Sequence, residues 1–206
     1  MPKRDKMENL VVHRIVEQHA VTRGDISALD QEGDSITYRE LNVRANAMAR
    51  QLSDAGFRRG SHLMIAMEHG IDLATVLLAV LKAGGTYTWQ LPGNWRFPWS
   101  AALAAGPDES TAAYRPIDVR AMLGHPVRPS PNLPILTRPS DLACVLLSMD
   151  GRRVLVPHST LTALQQDLEY ERQVWEGDAS TFDLWAGLMA GATLSVATAP
   201  ALSNAA

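Results

Sequence analysis

The sequence predicts an α/β fold, with a layered, mostly parallel sheet and flanking helices. Short apolar runs of strand length alternate along the chain with longer segments of helical period, an order typical of α/β proteins. The segment 71–82 is apolar nearly all round, so a helix there needs protein against both of its faces. With 206 residues, of which 46% are hydrophobic and 20% charged, the chain is globular and can bury a sizeable core.

The first part of the chain is predicted to alternate helices with strands. In order these are helix 8–20, strand 26–29, a helix that begins at 37, strand 62–67, helix 71–82 and strand 86–91. The first helix rests on apolar residues at helical spacing. The second begins with a capping box, in which the Thr37 hydroxyl accepts from the amide of Glu40 and the Glu40 carboxylate bonds back to Thr37. Gly56 then stands just past the helix, where a C′ glycine belongs.

Prolines separate this part from the rest of the chain. A small helix over 99–105 and a short strand over 110–114 precede five prolines between 126 and 139. We therefore expect a first α/β subdomain over 1–125, a proline-rich connector over 126–140 and a second, partial α/β segment over 141–206.

The second segment is predicted to begin with a β-hairpin. Its strands are 142–147 and 153–156, and Asp150-Gly151 supplies the turn signal between them. The residues His158-Ser159-Thr160 can cap a helix that runs to about Trp175. A last helix over 181–190 and a last strand over 193–199 complete the prediction.

Charge and composition exclude several classes of protein. The net charge of -3 argues against nucleic-acid binding. The lone Cys144 can form no internal disulfide, and its apolar strand favours a buried structural thiol. The six histidines lack metal-ligand spacing, so no metal is predicted. No signal peptide and no membrane-spanning run of about 20 apolar residues is visible, so we expect a cytoplasmic protein without membrane contact.

Four stretches together resemble one known family. They are ITYRELN at 36–42, LLAVLKAGGTY at 77–87, the strand-loop-strand segment at 142–161, and GDASTFDLWAGLMAGA at 177–192. In this order they resemble the N-terminal core of adenylation (AMP-binding) domains from nonribosomal peptide synthetases, within the adenylate-forming superfamily. The resemblance implies the corresponding part of that α/β core and a link to amino-acid activation with ATP and Mg²⁺.

The segment that carries the family's phosphate loop departs from the pattern. The family places a Ser-, Thr- and Gly-rich loop with a lysine between the two hairpin strands, where its amides and hydroxyls surround the ATP phosphates. Here the remnant consists of Ser148, Asp150, Gly151 and Arg152 around Met149, with no lysine and with a carboxylate that would repel phosphate. The resemblance therefore implies a degenerate site, and we expect no catalytic residue and no bound ATP or Mg²⁺.

One part of the family's substrate site is retained in the sequence. Asp178 matches the aspartate that binds the substrate's α-amino group in amino-acid-activating members, and Ala179 and Phe182 match pocket-lining positions. The alternative is that Asp178 is only the N-cap of the helix over 181–190, a role to which aspartate is well suited. Both interpretations remain open on the sequence.

Two functions from different classes follow from the resemblance. The first is a truncated, non-catalytic adenylation-domain homologue that serves as an accessory or scaffold protein in nonribosomal peptide biosynthesis. The alternative is half of a split, or a minimal, amino-acid-activating ligase that a partner chain completes; a decayed product without a role is a third possibility. Because the family's other subdomains are not matched, we expect the helix over 71–82 to be incompletely covered. The expected partners are therefore a peptide-synthetase protein or a second copy, with an amino acid as a possible ligand.

Overall fold

The structure of the protein is a computed structural model. It describes residues 10–89, 102–105, 115–134, 137–147, 152–164, 172–175 and 181–196. Six helices are present in this part of the chain: α1 (Val12–Thr22), α2 (Tyr38–Asp54), α3 (Ile71–Lys82), α4 (Val119–Gly124), α5 (His158–Ala163) and α6 (Thr181–Ala190). The strands are β1 (Ser27–Gln31), β2 (Asp34–Thr37), β3 (His62–Ile65), β4 (Thr86–Trp89), β5 (Ala102–Ala105), β6 (Arg115–Ile117), β7 (Leu142–Leu147), β8 (Arg153–Pro157), β9 (Arg172–Trp175) and β10 (Thr193–Val196).

The strands form two mixed sheets with helices packed against them. One sheet has the order β2-β1-β10-β9 and the other the order β6-β5-β3-β4-β7-β8. Parallel pairing joins β1 to β10, β10 to β9, β3 to β4 and β4 to β7, and the other four pairings are antiparallel. The α/β class is confirmed, with two sheets and more antiparallel pairing than the sequence predicted.

Both sheets combine strands from the two sides of the proline-rich connector. In the larger sheet β4 pairs with β7, and in the smaller one β1 pairs with β10. The side chains of α2 hold the connector in place, since Asn46 Nδ2 donates to the Ser130 carbonyl at 3.1 Å and Asn42 Nδ2 donates to Asn132 Oδ1 at 3.0 Å. Residues 126–134 contain no helix or strand, as an extended connector requires. The division into three parts remains a prediction.

Helix α3 lies in the middle of the core. Eleven of its twelve residues are buried, and only Asp72 is exposed. It packs against α2 and α1 on one side and contacts strands of both sheets. The expectation of an incompletely covered helix is therefore wrong, because α1, α2 and the two sheets already cover its apolar surface.

The two ends of α2 follow the sequence prediction. The Glu40 amide donates to Thr37 Oγ1 at 3.2 Å and the Thr37 amide donates to Glu40 Oε2 at 2.9 Å, so the capping box is complete. The Thr37 amide and the Thr37 hydroxyl both donate to Glu40 Oε2, and these two bonds lower the pKa of Glu40 because they stabilise its charged form. At the other end Gly56 has φ 92, a left-handed conformation that glycine adopts without strain.

The small helix predicted over 99–105 is wrong over its described part. Ala102–Ala105 forms strand β5, which pairs antiparallel with β3 on one side and with β6 on the other. Alanine favours helices locally, but pairing on both edges satisfies the backbone groups of these residues in the sheet. The strand predicted over 110–114 lies outside the described residues.

The helix predicted from His158 to Trp175 is also wrong. Helix α5 ends at Ala163, and Arg172–Trp175 forms β9, which pairs parallel with β10. The N-cap of α5 is Pro157, and no side chain caps it. His158 is instead fully buried, and its Nδ1 accepts a hydrogen bond from the Val12 amide at 3.3 Å. A tertiary contact with α1 therefore replaces the predicted local cap.

Candidate functional site

Three parallel strands of the larger sheet end at the same edge. Strands β3, β4 and β7 are parallel neighbours, so their carboxyl ends at Ile65, Trp89 and Leu147 point the same way. In open α/β sheets, ligands bind outside the carboxyl ends of the strands. The predicted phosphate-loop remnant follows β7 and therefore begins at this edge.

The hairpin of β7 and β8 is paired to the end of β7. Its register runs from Leu142 opposite Pro157 to Leu147 opposite Arg153. Five residues, 148–152, therefore make the whole connection. Of the predicted remnant, Arg152 is exposed, while Ser148, Asp150 and Gly151 lie outside the described residues.

Helix α6 begins beside strand β4. Thr181 Oγ1 shares a hydrogen bond with the Tyr87 hydroxyl, which also accepts from Trp185 Nε1 at 2.6 Å. All three side chains are buried, and burial raises the pKa of Tyr87 well above its usual range. Cys144, which is opposite Tyr87 in the register of β4 and β7, is also buried, and burial raises its pKa to about 12. The thiol is therefore a neutral core group, in agreement with the sequence prediction.

The structure brings the start of α6 to the strand pair from which the hairpin extends. Phe182, in the first turn of α6, is half-buried and packs against the core. Asp178 and Ala179 lie outside the described residues, so neither the amine-binding role nor the N-cap role is decided. The hydrogen bonds among Thr181, Tyr87 and Trp185 nevertheless fix the position of the first residue of α6.

Sequence reasoning missed a cavity of about 630 Å³ where β3 leads into α3. Two of its lining residues, Met67 and His69, contact the indole of Trp89: Nε1 donates to the Met67 carbonyl at 3.0 Å, and the His69 ring packs edge-on against the indole with the ring centroids 4.4 Å apart. Gln31 Oε1 accepts from the Ile71 amide at 3.0 Å, which satisfies a donor at the start of α3. The signal available in the sequence was the polar run Glu68-His69-Gly70 directly after an apolar strand.

Charged side chains of both signs line this cavity. They include Arg44 and Arg120 on one hand, and Asp34, Glu68 and Asp72 on the other, all of them exposed. Carboxylates outnumber guanidinium groups, which does not favour a phosphate ligand. In the part of the chain that the structure describes, no group of three or more His, Cys, Asp and Glu side chains is arranged to hold a metal ion.

A buried polar cluster lies away from this edge, between α1, α3 and α5. Lys82 Nζ donates to Glu17 Oε1, and Arg14 donates to the other carboxylate oxygen at 3.0 Å. Burial lowers the pKa of Lys82 to about 8, although Glu17 acts in the opposite direction. Nearby, the rings of His13 and His158 meet edge to face at 5.9 Å, and burial lowers the pKa of both, that of His158 to about 4. Helix α3 begins at the carboxyl edge of the sheet and ends at Lys82, shortly before β4 begins. This cluster therefore lies near the opposite edge, where the parallel strands begin.

Comparison with known proteins identifies the family. The sequence profile described as AMP-binding enzyme matches residues 16–124, which is more than half of the chain. The chain belongs to the AMP-binding enzyme family. Surfactin synthase subunit 2 of Bacillus subtilis is 28% identical to it over 93% of this chain and 6% of that protein.

Two solved structures from Klebsiella oxytoca show the same fold. The NpsA N-terminal subdomain in complex with anthranilyl-AMSN has a TM-score of 0.73 at 21% identity and covers 95% of this chain and 55% of its own. The artificially fused adenylation-PCP di-domain NpsA-ThdA has a TM-score of 0.70 at 20% identity and covers 93% and 40%. The chain thus matches only part of each of these AMP-binding family members, and the resemblance to adenylation domains is confirmed. No helix among the described residues could cross a membrane.

Proposed function

We propose that this AMP-binding family member is non-catalytic and acts as an accessory or scaffold protein for a peptide-synthetase partner. The observation that carries the proposal is the register of the hairpin, in which Leu147 is paired directly with Arg153. This pairing leaves only five residues at the place where the family carries its phosphate loop. The chain would then keep the fold of an adenylation domain without its nucleotide chemistry.

The composition of the connection supports the same conclusion. Binding of a triphosphate requires several converging amides and hydroxyls, together with cationic side chains. Residues 148–152 contain one hydroxyl side chain, one glycine and no lysine, and Asp150 adds a negative charge. Arg152 supplies charge, but a single guanidinium does not replace a cradle of amides. These residues do not fit ATP and Mg²⁺, and we derive no reaction step from them.

The proposed partner is suggested by the length and the domain composition of the similar proteins. Surfactin synthase subunit 2 is far longer than the matched region, which is 6% of its length, and in the structure of NpsA-ThdA an adenylation domain was artificially fused to a PCP domain. We propose that the present chain associates with such domains of a peptide synthetase.

Thermal unfolding with and without ATP and Mg²⁺ tests the non-catalytic role. A ligand at 100 times its dissociation constant stabilises a protein by about 2.7 kcal/mol, which is a shift of several degrees at this chain length. We expect no shift, and no ATP–pyrophosphate exchange with any of the amino acids. A catalytically competent adenylation domain serves as the positive control under the same conditions. A reproducible shift or exchange by the present chain alone would overturn the proposal.

The second candidate is half of a split amino-acid-activating ligase. The bonded side chains of Thr181, Tyr87 and Trp185 favour it, because they hold the start of α6 beside β4, and Asp178 and Ala179 directly precede this helix in the sequence. Asp178, Ala179 and Phe182 would then contact the amino acid.

Calorimetric titration with amino acids tests this second candidate. If Asp178 binds an amino group, Asp178→Asn should abolish the heat of binding and leave the unfolding temperature almost unchanged. If Asp178 is only an N-cap, Asp178→Asn should be nearly silent, while Asp178→Ala should cost about 1 kcal/mol of stability. The absence of heat with every amino acid would reject the retained site, and exchange activity that appears only with a partner chain would support it.

A further inference from the structure

A second cavity, of about 310 Å³, lies between α2, α3 and the chain from α4 to Val127. Its volume is at the lower end of the range that is usual for small-molecule sites in proteins. Half of the residues that line it are apolar, and the other half carry polar or charged groups. None of them belongs to the segments 148–152 and 177–192, so this cavity is built from residues other than those that match the family's phosphate loop and substrate site.

The apolar wall of this cavity is only partly covered by the protein itself. Met48 is buried, and Met122 and Leu123 are half-buried and pack against the core. Val127, by contrast, is 43% exposed. An apolar group that enters the cavity removes the exposed part of this wall from water, which is energetically favourable. The wall therefore favours a ligand with a compact apolar body.

Two side chains of opposite charge stand between this cavity and the larger one beside β3. They are Arg44 and Asp72, each of which lines both cavities and is exposed. Within the part of the chain that the structure describes, neither side chain forms an ion pair or a hydrogen bond. The other two arginines of α2, Arg39 and Arg50, each donate to an oxygen elsewhere in the chain. Arg44 and Asp72 are therefore a positive and a negative group that remain available to a ligand.

His125 adds a hydrogen-bond acceptor to the lining. Gln51 Nε2 donates to the Met122 carbonyl at 3.2 Å, and Gln51 Oε1 lies 2.7 Å from His125 Nδ1. A carbonyl can only accept, which fixes the orientation of the Gln51 amide and places a proton on His125 Nδ1. In its neutral form the ring then presents Nε2 as an acceptor.

We propose that this cavity binds a small zwitterion with an apolar body. Arg44 binds the carboxylate, Asp72 and His125 Nε2 accept from the ammonium group, and the body packs against Met48 and Met122. A simple anion such as a fatty acid fits less well, because Asp72 repels it, and a simple amine is repelled by Arg44. Only a ligand that carries both charges pairs with both side chains.

Titration of the isotope-labelled full chain with leucine, followed by its amide resonances, tests the proposal. Saturable shifts are expected in α2 and in residues 122–127. Leucinamide lacks the carboxylate and 4-methylpentanoate lacks the ammonium group, so each should bind at least fivefold more weakly than leucine. Alanine should also bind at least fivefold more weakly, because its methyl group leaves most of the apolar wall exposed.

Four variants localise the binding. Arg44→Gln and Asp72→Asn should each weaken the binding of leucine at least fivefold. Ala47→Leu should weaken it as well, because Ala47 lines the cavity and the larger side chain fills it. Arg39→Gln is the matched control, since it removes an exposed arginine from the same helix away from the cavity, and it should leave the binding unchanged. Circular dichroism and thermal unfolding confirm that each variant is folded before titration.

Three results would overturn the proposal. They are the absence of saturable leucine binding, equal binding of leucine and its singly charged analogues, and equal losses in Arg39→Gln and Arg44→Gln. Loss of leucine binding in Asp178→Asn but not in Arg44→Gln would overturn it too, and would support the split ligase instead. The cavity requires no nucleotide, so failure of this proposal would leave the non-catalytic role untouched.

Discussion

The core holds two buried polar clusters of opposite character. Thr181, Tyr87 and Trp185 form a neutral cluster in which the tyrosine hydroxyl serves both of its neighbours. The other cluster contains the ion pair of Glu17 and Lys82 together with the two buried histidines, and it leaves the Nδ1 of His13 and the Nε2 of His158 without a hydrogen-bond partner.

The two clusters differ in the ionisation states of their side chains. Burial holds the Tyr87 hydroxyl in its neutral form throughout the ordinary pH range. The charged cluster combines the ion pair of Glu17 and Lys82 with two imidazoles that burial holds in their neutral form. We therefore expect the two clusters to respond very differently to mutation, pH and salt.

Removal of the carboxylate from the charged cluster should have the largest effect. Glu17→Ala leaves the ammonium of Lys82 buried and unpaired, and breaking a buried pair in this way costs about 3–5 kcal/mol. Since burial already lowers the pKa of Lys82 to about 8, the cost should shrink at alkaline pH, where the amine becomes neutral. Denaturant unfolding at neutral and at alkaline pH measures both the cost of Glu17→Ala and its decrease at alkaline pH.

The control for that prediction replaces both partners at once. The double variant Glu17→Leu, Lys82→Met removes both charges and fills similar space, so it should recover most of the lost stability. A cost below about 1 kcal/mol for Glu17→Ala would mean that water reaches Lys82 and that the two clusters do not differ as described.

Acid should destabilise the protein through the buried histidines. The folded-state pKa of His158, about 4, lies below its unfolded value of 6.5, so the unfolded chain binds the extra proton between these values. Burial lowers the pKa of His158, whereas the carboxylate of Asp141 acts more weakly in the opposite direction and raises it. The stability contributed by neutral His158 is therefore complete above about pH 6.5 and decreases by about 3 kcal/mol down to about pH 4.

A matched variant isolates the part of the acid effect that belongs to His158. His158→Gln can still accept from the Val12 amide but cannot take up a proton. Its stability should fall less between neutral and acid pH than that of the unmodified protein. His13 and His62, whose pKa values are also lowered by burial, and the carboxylates of Glu40 and Asp141, whose pKa values are lowered as well, should contribute to the decrease that remains. Identical pH profiles for the two proteins would contradict the assignment to His158.

The sequence predicted best where one local pattern decides the structure. The capping box of Thr37 and Glu40 and the glycine at position 56 involve neighbouring residues only, and both are confirmed. Helix α6 has the predicted bounds, Thr181–Ala190, because a continuous apolar segment of that length is buried as a helix.

Prediction failed where distant residues decide the structure. Ala102–Ala105 has helical residues but pairs with β3 and β6, and no local pattern reveals those partners. His158 was assigned to a cap because of its place before a helix, whereas its real contact, the Val12 amide, is far away in the sequence. The candidate site divides in the same way, since the shortness of 148–152 could be read directly, while the cavity beside β3 depends on residues from four separate segments.

Tyr87→Phe should have a smaller effect than Glu17→Ala, and one that does not depend on pH. The change leaves Trp185 Nε1 and Thr181 Oγ1 without their partner, and buried neutral groups left unpaired cost about 1–3 kcal/mol. In the background of Thr181→Val, one of these two groups is already absent, so Tyr87→Phe should cost less there. Urea unfolding of the four members of this cycle measures the coupling, and strictly additive costs would show that the neutral cluster is not cooperative.

The exposed ion pair of Arg39 and Asp25 gives the smallest expected effect and calibrates the others. Arg39 Nη2 donates to Asp25 Oδ1 at 3.1 Å, but the two side chains are 59% and 91% exposed. Water and salt screen such a pair, so Arg39→Ala should cost less than about 1 kcal/mol, and molar sodium chloride should reduce even that. The cost of Glu17→Ala should persist in the same salt, because Lys82 and Glu17 are shielded from solvent. If the two variants cost the same, or if both costs vanish in salt, burial would not explain the behaviour of the charged cluster.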